Sequence, residues 1–129
     1  MQVRVLGPDH ALAATDVARL FQDSLSGDSR ERLARWPRFV TACGEQITGV
    51  AVYRIADDEL RVPDIGVDRD CQCSAHDILN ALLDALELAC QASGCARIVI
   101  LPPADLAPAL LARRGYTMRA AGCGGAWLE

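Results

Sequence analysis

Apolar positions change period several times along the chain, and each change marks an element. Gln2 to Leu6 alternates polar and apolar residues, which predicts a first strand. Gly7-Pro8 breaks it. Leu12, Val17, Leu20, Phe21 and Leu25 then recur at helical spacing, so a helix is expected from about His10 to Leu25, capped by Asp9. Ser26-Gly27-Asp28 ends it. Ser29 to Arg35 is arginine-rich and amphipathic, fitting a short helix or a loop. After Pro37, three segments rich in β-branched or alternating residues follow: Arg38–Cys43, Ile47–Ile55 and Glu59–Val67. Short turns join them at Gly44-Glu45-Gln46 and Ala56-Asp57-Asp58, which predicts an antiparallel meander. Pro63 cannot donate to a ladder, so a bulge or splay is expected in the third strand.

The longest amphipathic run follows. Ile78, Leu79, Leu82, Leu83, Leu86 and Ala89 define a helix from Ala75 to Ala92, and Gly94 is its natural stop. Arg97–Leu101 is short and almost wholly apolar, as a buried parallel strand would be. Pro102-Pro103 closes it. Asp105 can cap a helix to Arg114, with Pro108 in its first turn and Arg113 and Arg114 near its negative end. Gly115 stops that helix. Tyr116–Ala121 and Ala126–Glu129 read as two short strands around Gly122-Cys123-Gly124-Gly125. The expected order is β-α-(short α)-β-β-β-α-β-α-β-β. That is α+β: a mixed, mainly antiparallel central sheet with helices on both faces, an α/β sandwich in one domain.

Composition narrows the function. The 129 residues carry a net charge of −4 and are 51% hydrophobic. A nucleic-acid binder usually shows a basic face, so an acidic chain of this kind argues against that function. All 13 basic residues are arginine, so Schiff-base and P-loop lysine chemistry are excluded. No stretch approaches the ~18 apolar residues of a membrane span, and the N-terminus does not resemble a signal peptide. A cytoplasmic location is expected, where the six cysteines (Cys43, Cys71, Cys73, Cys90, Cys95 and Cys123) should stay mostly reduced.

Candidate chemistry concentrates between Glu59 and Gly94. A strand that feeds directly into a helix N-terminus leaves helix N–H groups available to an anion. Ser74 can cap this helix, and Asp77 stands three residues on, where an acid can bond back. Asp68, Asp70 and Asp77 against Arg69 make the turn acidic. Cys71-x-Cys73-x-x-His76 offers two thiolates and an imidazole, but a second paired motif for zinc is missing. A helix N-terminus can also lower a thiol pKa, which leaves redox sensing at Cys71 or Cys73 open. His10 and His76 are the only histidines, and neither completes a nucleophile arrangement. Trp36 and Trp127 read as packing residues, Cys90 and Cys95 as core or helix-end residues.

Element order and two segments resemble the Gcn5-related N-acetyltransferase (GNAT) superfamily. One segment is the strand, the loop Asp70-Cys71-Gln72-Cys73-Ser74-Ala75, and the helix opening with Ile78-Leu79 and Leu82. Family loops follow Q/R-x-x-G-x-G/A, and here only Ala75 fits. A register two residues later recovers Gln72 but places Asp77 at the last small position. The other segment is Leu110-Leu111-Ala112-Arg113-Arg114-Gly115-Tyr116, similar to an aliphatic-Tyr-x-x-x-Gly-aromatic pattern. Gly115-Tyr116 matches it, whereas Leu111 replaces the tyrosine that serves as general acid.

The resemblance implies acetyl-CoA or another acyl-CoA as co-substrate. Ile65 and Val67 on the strand, with Cys73, Ser74 and Ala75 in the loop, would hold it. Asp64 or Glu59 would be the base for transfer of the acyl group to an amine. The alternative it implies is a protein that binds acyl-CoA without turnover, or a regulator that works by contacting a protein partner. A homodimer through the sheet edge is compatible with either.

Overall fold

The computed structural model describes residues 2–21, 25–71, 74–100, 108–118 and 126–128. In chain order these form β1 (Val3–Leu6), α1 (Ala14–Phe21), α2 (Gly27–Arg35), β2 (Arg38–Cys43), β3 (Gln46–Ala56), β4 (Glu59–Val67), α3 (Ala75–Ser93), β5 (Arg97–Ile100), α4 (Pro108–Arg113), β6 (Thr117–Met118) and β7 (Ala126–Leu128). One sheet runs β1-β2-β3-β4-β5-β7-β6. Among the described residues only β4 and β5 pair in parallel, and every other pairing is antiparallel. The expected mixed, mainly antiparallel sheet is therefore present.

Two apolar layers cover it. On one face Ile78, Leu79, Leu82, Leu83 and Leu86 of α3, with Leu110 and Leu111 of α4, pack on Ala51, Leu60, Val62, Ile65 and Ile100. On the other, Leu12, Val17, Leu20, Phe21 and Leu25 join Leu33 over Val40, Val50 and Val52. Gly49 sets how closely α3 can approach. A Cβ there would sit 2.7 Å from both the Ile78 Cγ2 and the Thr41 Oγ1 atoms.

The first helix is shorter than its apolar pattern suggests. It begins at Ala14, because Gly7–His10 closes into a turn through the His10 N–H and the Gly7 carbonyl. Asp9 therefore lies outside the helix and does not cap it. The arginine-rich segment is a helix, capped by Ser26, whose hydroxyl accepts from the Ser29 N–H at 3.1 Å. The last-helix cap proposed at Asp105 lies outside the described residues. Arg114 does more than complement a helix end. It binds Asn80, Asp84 and Glu87 of α3, tying the C-terminal end of α4 to that helix.

Pro63 lies in a bulge. Val52 pairs with Asp64 and Arg54 with Arg61, so Val62 and Pro63 together oppose Tyr53. One extra residue inverts the side-chain alternation of a strand. Leu60 and Val62 turn toward α3 before the bulge, and Ile65 and Val67 after it. Asp64 and Gly66 are thereby delivered to the α1–α2 face.

Candidate active site

The parallel pairing of β4 with β5 reaches Val62 and Ile100. Strand β4 continues for five more residues, to Val67, held by β3 alone among the described residues. Among the described residues its edge has no β5 partner beyond Val62, and it ends at the turn into α3. Ile65 lies in this released stretch and is buried, with Val67 half-buried beside it. Both side chains face the α3 layer, so the backbone is what the released edge can offer a ligand.

At the helix itself, Ser74 is the N-cap, and its hydroxyl accepts from the His76 N–H at 3.2 Å. The return bond expected from Asp77 is not among the described hydrogen bonds. Ala75 opens the helix and is exposed. Cys73, the third residue proposed to hold a phosphate, lies outside the described residues, as does Gln72. With Cys73 outside, the zinc reading retains only Cys71 and His76. Among the described residues no group of three metal-ligating side chains converges.

The acidity of this turn is less than its composition suggests. Asp68 is 3% exposed and fully engaged. Arg19 of α1 reaches it at 3.1 Å, Gln46 donates to it at 3.1 Å, and the Asp70 N–H donates at 2.9 Å. Asp68 is thus neutralised from below the sheet, and its hydrogen bonds set the path of the turn. Asp70 and Asp77 remain exposed. The Cys71 thiol donates to the Asp68 carbonyl at 3.3 Å. One cysteine departs from the reduced state expected of most of them. Cys43, at the end of β2, is disulfide-bonded. Cys71, Cys90 and Cys95 are thiols. Burial, then the neighbouring Cys95, raises the pKa of Cys90.

The two carboxylates proposed as bases stand far apart. Five residues of strand separate them by about 16 Å. Asp64 is 8% exposed. Its Oδ1 accepts from the Ser29 hydroxyl at 2.7 Å and from Arg32 Nη2 at 3.2 Å, and its Oδ2 accepts from Arg32 Nε at 2.7 Å. This is a bidentate ion pair with a third donor, and both oxygens are committed. The hydrogen bond that Arg32 donates to Asp64 raises the pKa of Arg32 above its ordinary value. Glu59, at the other end of β4, pairs with Arg61 at 2.9 Å and with Arg97 at 3.7 Å. Ser29, Arg32 and Arg19 were not among the residues singled out from the sequence. Their signal was present: Ser29 and Arg32 are three apart, hence on one face of the arginine-rich helix.

Leu111, where the resemblance places a proton-donating tyrosine, is wholly buried in the α3 layer. The nearby phenol is Tyr116. It is 4% exposed, and burial first, then Glu87, pushes its pKa far above the ordinary tyrosine range.

No protein-family model and no curated protein matches this chain. Solved structures do match. A putative acetyltransferase from Exiguobacterium sp. 255-15 superposes with a TM-score of 0.74 at 14% identity, covering 100% of this chain and 94% of the other. A Bacillus subtilis acetyltransferase in complex with CoA gives 0.72 at 20% identity, over 92% and 79%. A GNAT family acetyltransferase from Elizabethkingia anophelis with acetyl-CoA bound gives 0.72 at 15% identity, over 92% and 78%. At these identities the likeness establishes the fold: the chain has the GNAT fold.

Proposed function

We propose that this protein binds an acyl-CoA where β4 leaves β5 and turns into α3, and transfers the acyl group to an amine. The observation that carries the reading is the released edge of β4 running directly into a capped helix N-terminus. Such an edge supplies unpaired backbone groups, and the helix supplies N–H groups and a positive dipole end for a phosphate. Ile65 and Val67 would offer backbone to the pantetheine arm, and Ser74 and Ala75 would hold the pyrophosphate beside Cys73. Two of the similar structures hold CoA or acetyl-CoA, which supports the same use here.

The backbone of this turn fits the ligand better than its charges do. At ~4 Å and an effective dielectric near 20, one carboxylate opposes a phosphate by about 4 kcal/mol. Exposed Asp70 and Asp77 are screened by water and salt, which removes most of that. Weak binding, strengthened by neutralising these two acids, is the expected behaviour.

In the transfer, the amine nitrogen attacks the thioester carbonyl, the C–S bond breaks, and the thiol of coenzyme A leaves protonated. The amine's proton needs an acceptor. Asp64 already accepts three hydrogen bonds from Ser29 and Arg32, and Glu59 stands at the opposite end of the strand. That commitment favours a second reading, in which the protein binds acyl-CoA without turnover and acts as a sensor or regulator.

Calorimetric titration with acetyl-CoA tests the binding. Heat that saturates, with about tenfold tighter binding in the Asp70→Asn, Asp77→Asn double variant, is the expected result. Absence of heat at millimolar ligand in both proteins overturns the proposal. Release of free thiol from acetyl-CoA with a panel of amines then separates transfer from sensing.

A further inference from the structure

A cavity of about 400 Å³ opens between α1 and α2, on the side of α2 turned away from Asp64. Its apolar wall comes from Leu12, Val17, Leu25 and Leu33, and two cations, Arg30 and Arg38, lie on its rim and wall. Among the described residues it is lined by no carboxylate, although the protein carries a net charge of −4. The volume falls within the range of small-molecule sites, which pair apolar walls with few polar groups.

Unlike several arginines of the layers, the two that line this cavity have no acid beside them in it among the described residues. Arg19, Arg32, Arg61 and Arg114 all pair with acids. Neither Arg30 nor Arg38 takes part in any described ion pair. Arg38 is half-buried. Its Nη1 donates to the Leu33 carbonyl at 2.8 Å, and its enclosed Nε has no acceptor. An enclosed N–H without an acceptor is a cost that native structures seldom leave unanswered. With Nη1 occupied, the remaining edge of the guanidinium is the Nε–Nη2 fork, which suits both oxygens of a carboxylate. Asp9 lines a second cavity on the other side of Arg38, but it forms no described ion pair with it.

We propose that this groove is a second binding site, for a small carboxylate with an apolar tail. The tail lies along Leu12, Leu25 and Leu33, and the carboxylate engages Arg38 after a small rotation of that side chain, with Arg30 closing over it. This site is separate from the β4–α3 junction and does not depend on acyl-CoA binding there.

Octanoate, with octanol as its uncharged counterpart, is the probe, followed by methyl NMR of the intact protein. Octanoate at millimolar concentration should shift the methyl signals of Leu12, Leu25 and Leu33, and octanol should bind about tenfold more weakly. Arg38→Gln should weaken octanoate by a similar factor. Ala34→Phe, which fills the groove from an exposed position, should abolish binding while leaving the remaining spectrum intact. That variant carries the test if Arg38→Gln fails to fold. Coenzyme A should not displace octanoate. Equal binding of octanol, binding that survives Ala34→Phe, displacement by coenzyme A, or shifts confined to other methyls would each overturn the proposal, as would no shift at all.

Discussion

Replacing Asp64 separates an ion pair that holds the fold from a base that performs chemistry. In the structure this carboxylate joins the middle of β4 to α2 through Arg32 and Ser29. Asp64→Ala leaves a guanidinium and a hydroxyl without their acceptor. Breaking a fully buried pair from one side costs about 3–5 kcal/mol. The Arg32 side chain is 26% exposed, so it can turn partly to water, and about 2–3 kcal/mol is the reasoned loss. Asp64→Asn keeps an acceptor for one donor and should lose about 1–2 kcal/mol. For 129 residues, the unfolding entropy near the midpoint is about 0.3 kcal/mol/K, so the alanine variant should melt about 8 °C lower.

Urea unfolding of Asp64→Ala, Arg32→Met and the double variant gives the coupling directly. It should fall at about 1–3 kcal/mol. Coupling below about 0.5 kcal/mol would refute the claim that the pair is structural. If Asp64→Asn instead retained full stability and abolished acyl transfer, with the pH profile of kcat/KM losing its acidic limb, Asp64 would be the base and the ion pair incidental.

Three further substitutions probe how the site is held. Gly66→Ala places a Cβ 2.9 Å from the Phe21 ring, so it should destabilise by about 1–3 kcal/mol, and adding Phe21→Leu should restore part of this in the same urea assay. Asp57 and Asp58 occupy the β3–β4 turn with φ of 53° and 62°, so Asp57→Asn with Asp58→Gly should raise stability by about 0.5–1 kcal/mol; a lowered melting temperature would show that the aspartates hold the turn by other means. Tyr116, with a folded-state pKa raised by burial from its ordinary 10.0, contributes stability that is complete below pH 10 and lost as pH rises beyond it. Tyr116→Phe should flatten the fall in stability above pH 10, and an unchanged alkaline limb would contradict the assigned burial.

The frame of the site was legible because local signals and tertiary demands agree there. Strands Arg38–Cys43 and Glu59–Val67 appear with the limits their patterns predict, and α3 begins at Ala75 behind its serine cap. Pro63 announced a bulge, since no ladder can use its nitrogen. What could not be read was the company each charged residue keeps. Asp64 looked available because a sequence shows a strand carboxylate without the helix that crosses it. Ser29 is 35 residues away in the chain, and Arg32 is 32 away. The same holds for Asp68, whose counter-ion comes from α1. The start of α1 lies beyond the first apolar position for a related reason: Leu12 packs with the helix from outside it.

These pairings bear on how far a turn can drift from a glycine-rich phosphate loop and still bind. Three acids against one arginine would oppose an anion strongly if all were unpaired. Arg19 removes Asp68 from that count, and in doing so Asp68 orients the turn through the Asp70 N–H. The remaining acids face water, where their field is screened within about 8–10 Å at physiological salt. Affinity for a phosphate group should therefore rise with ionic strength when Asp70 and Asp77 are present, as their repulsion is screened. In the Asp70→Asn, Asp77→Asn variant it should fall, as attraction to the helix end is screened instead. Titrating acetyl-CoA at low and high salt measures both slopes. Parallel slopes would mean that these acids do not face the bound phosphate, and would place the ligand away from the N-terminus of α3.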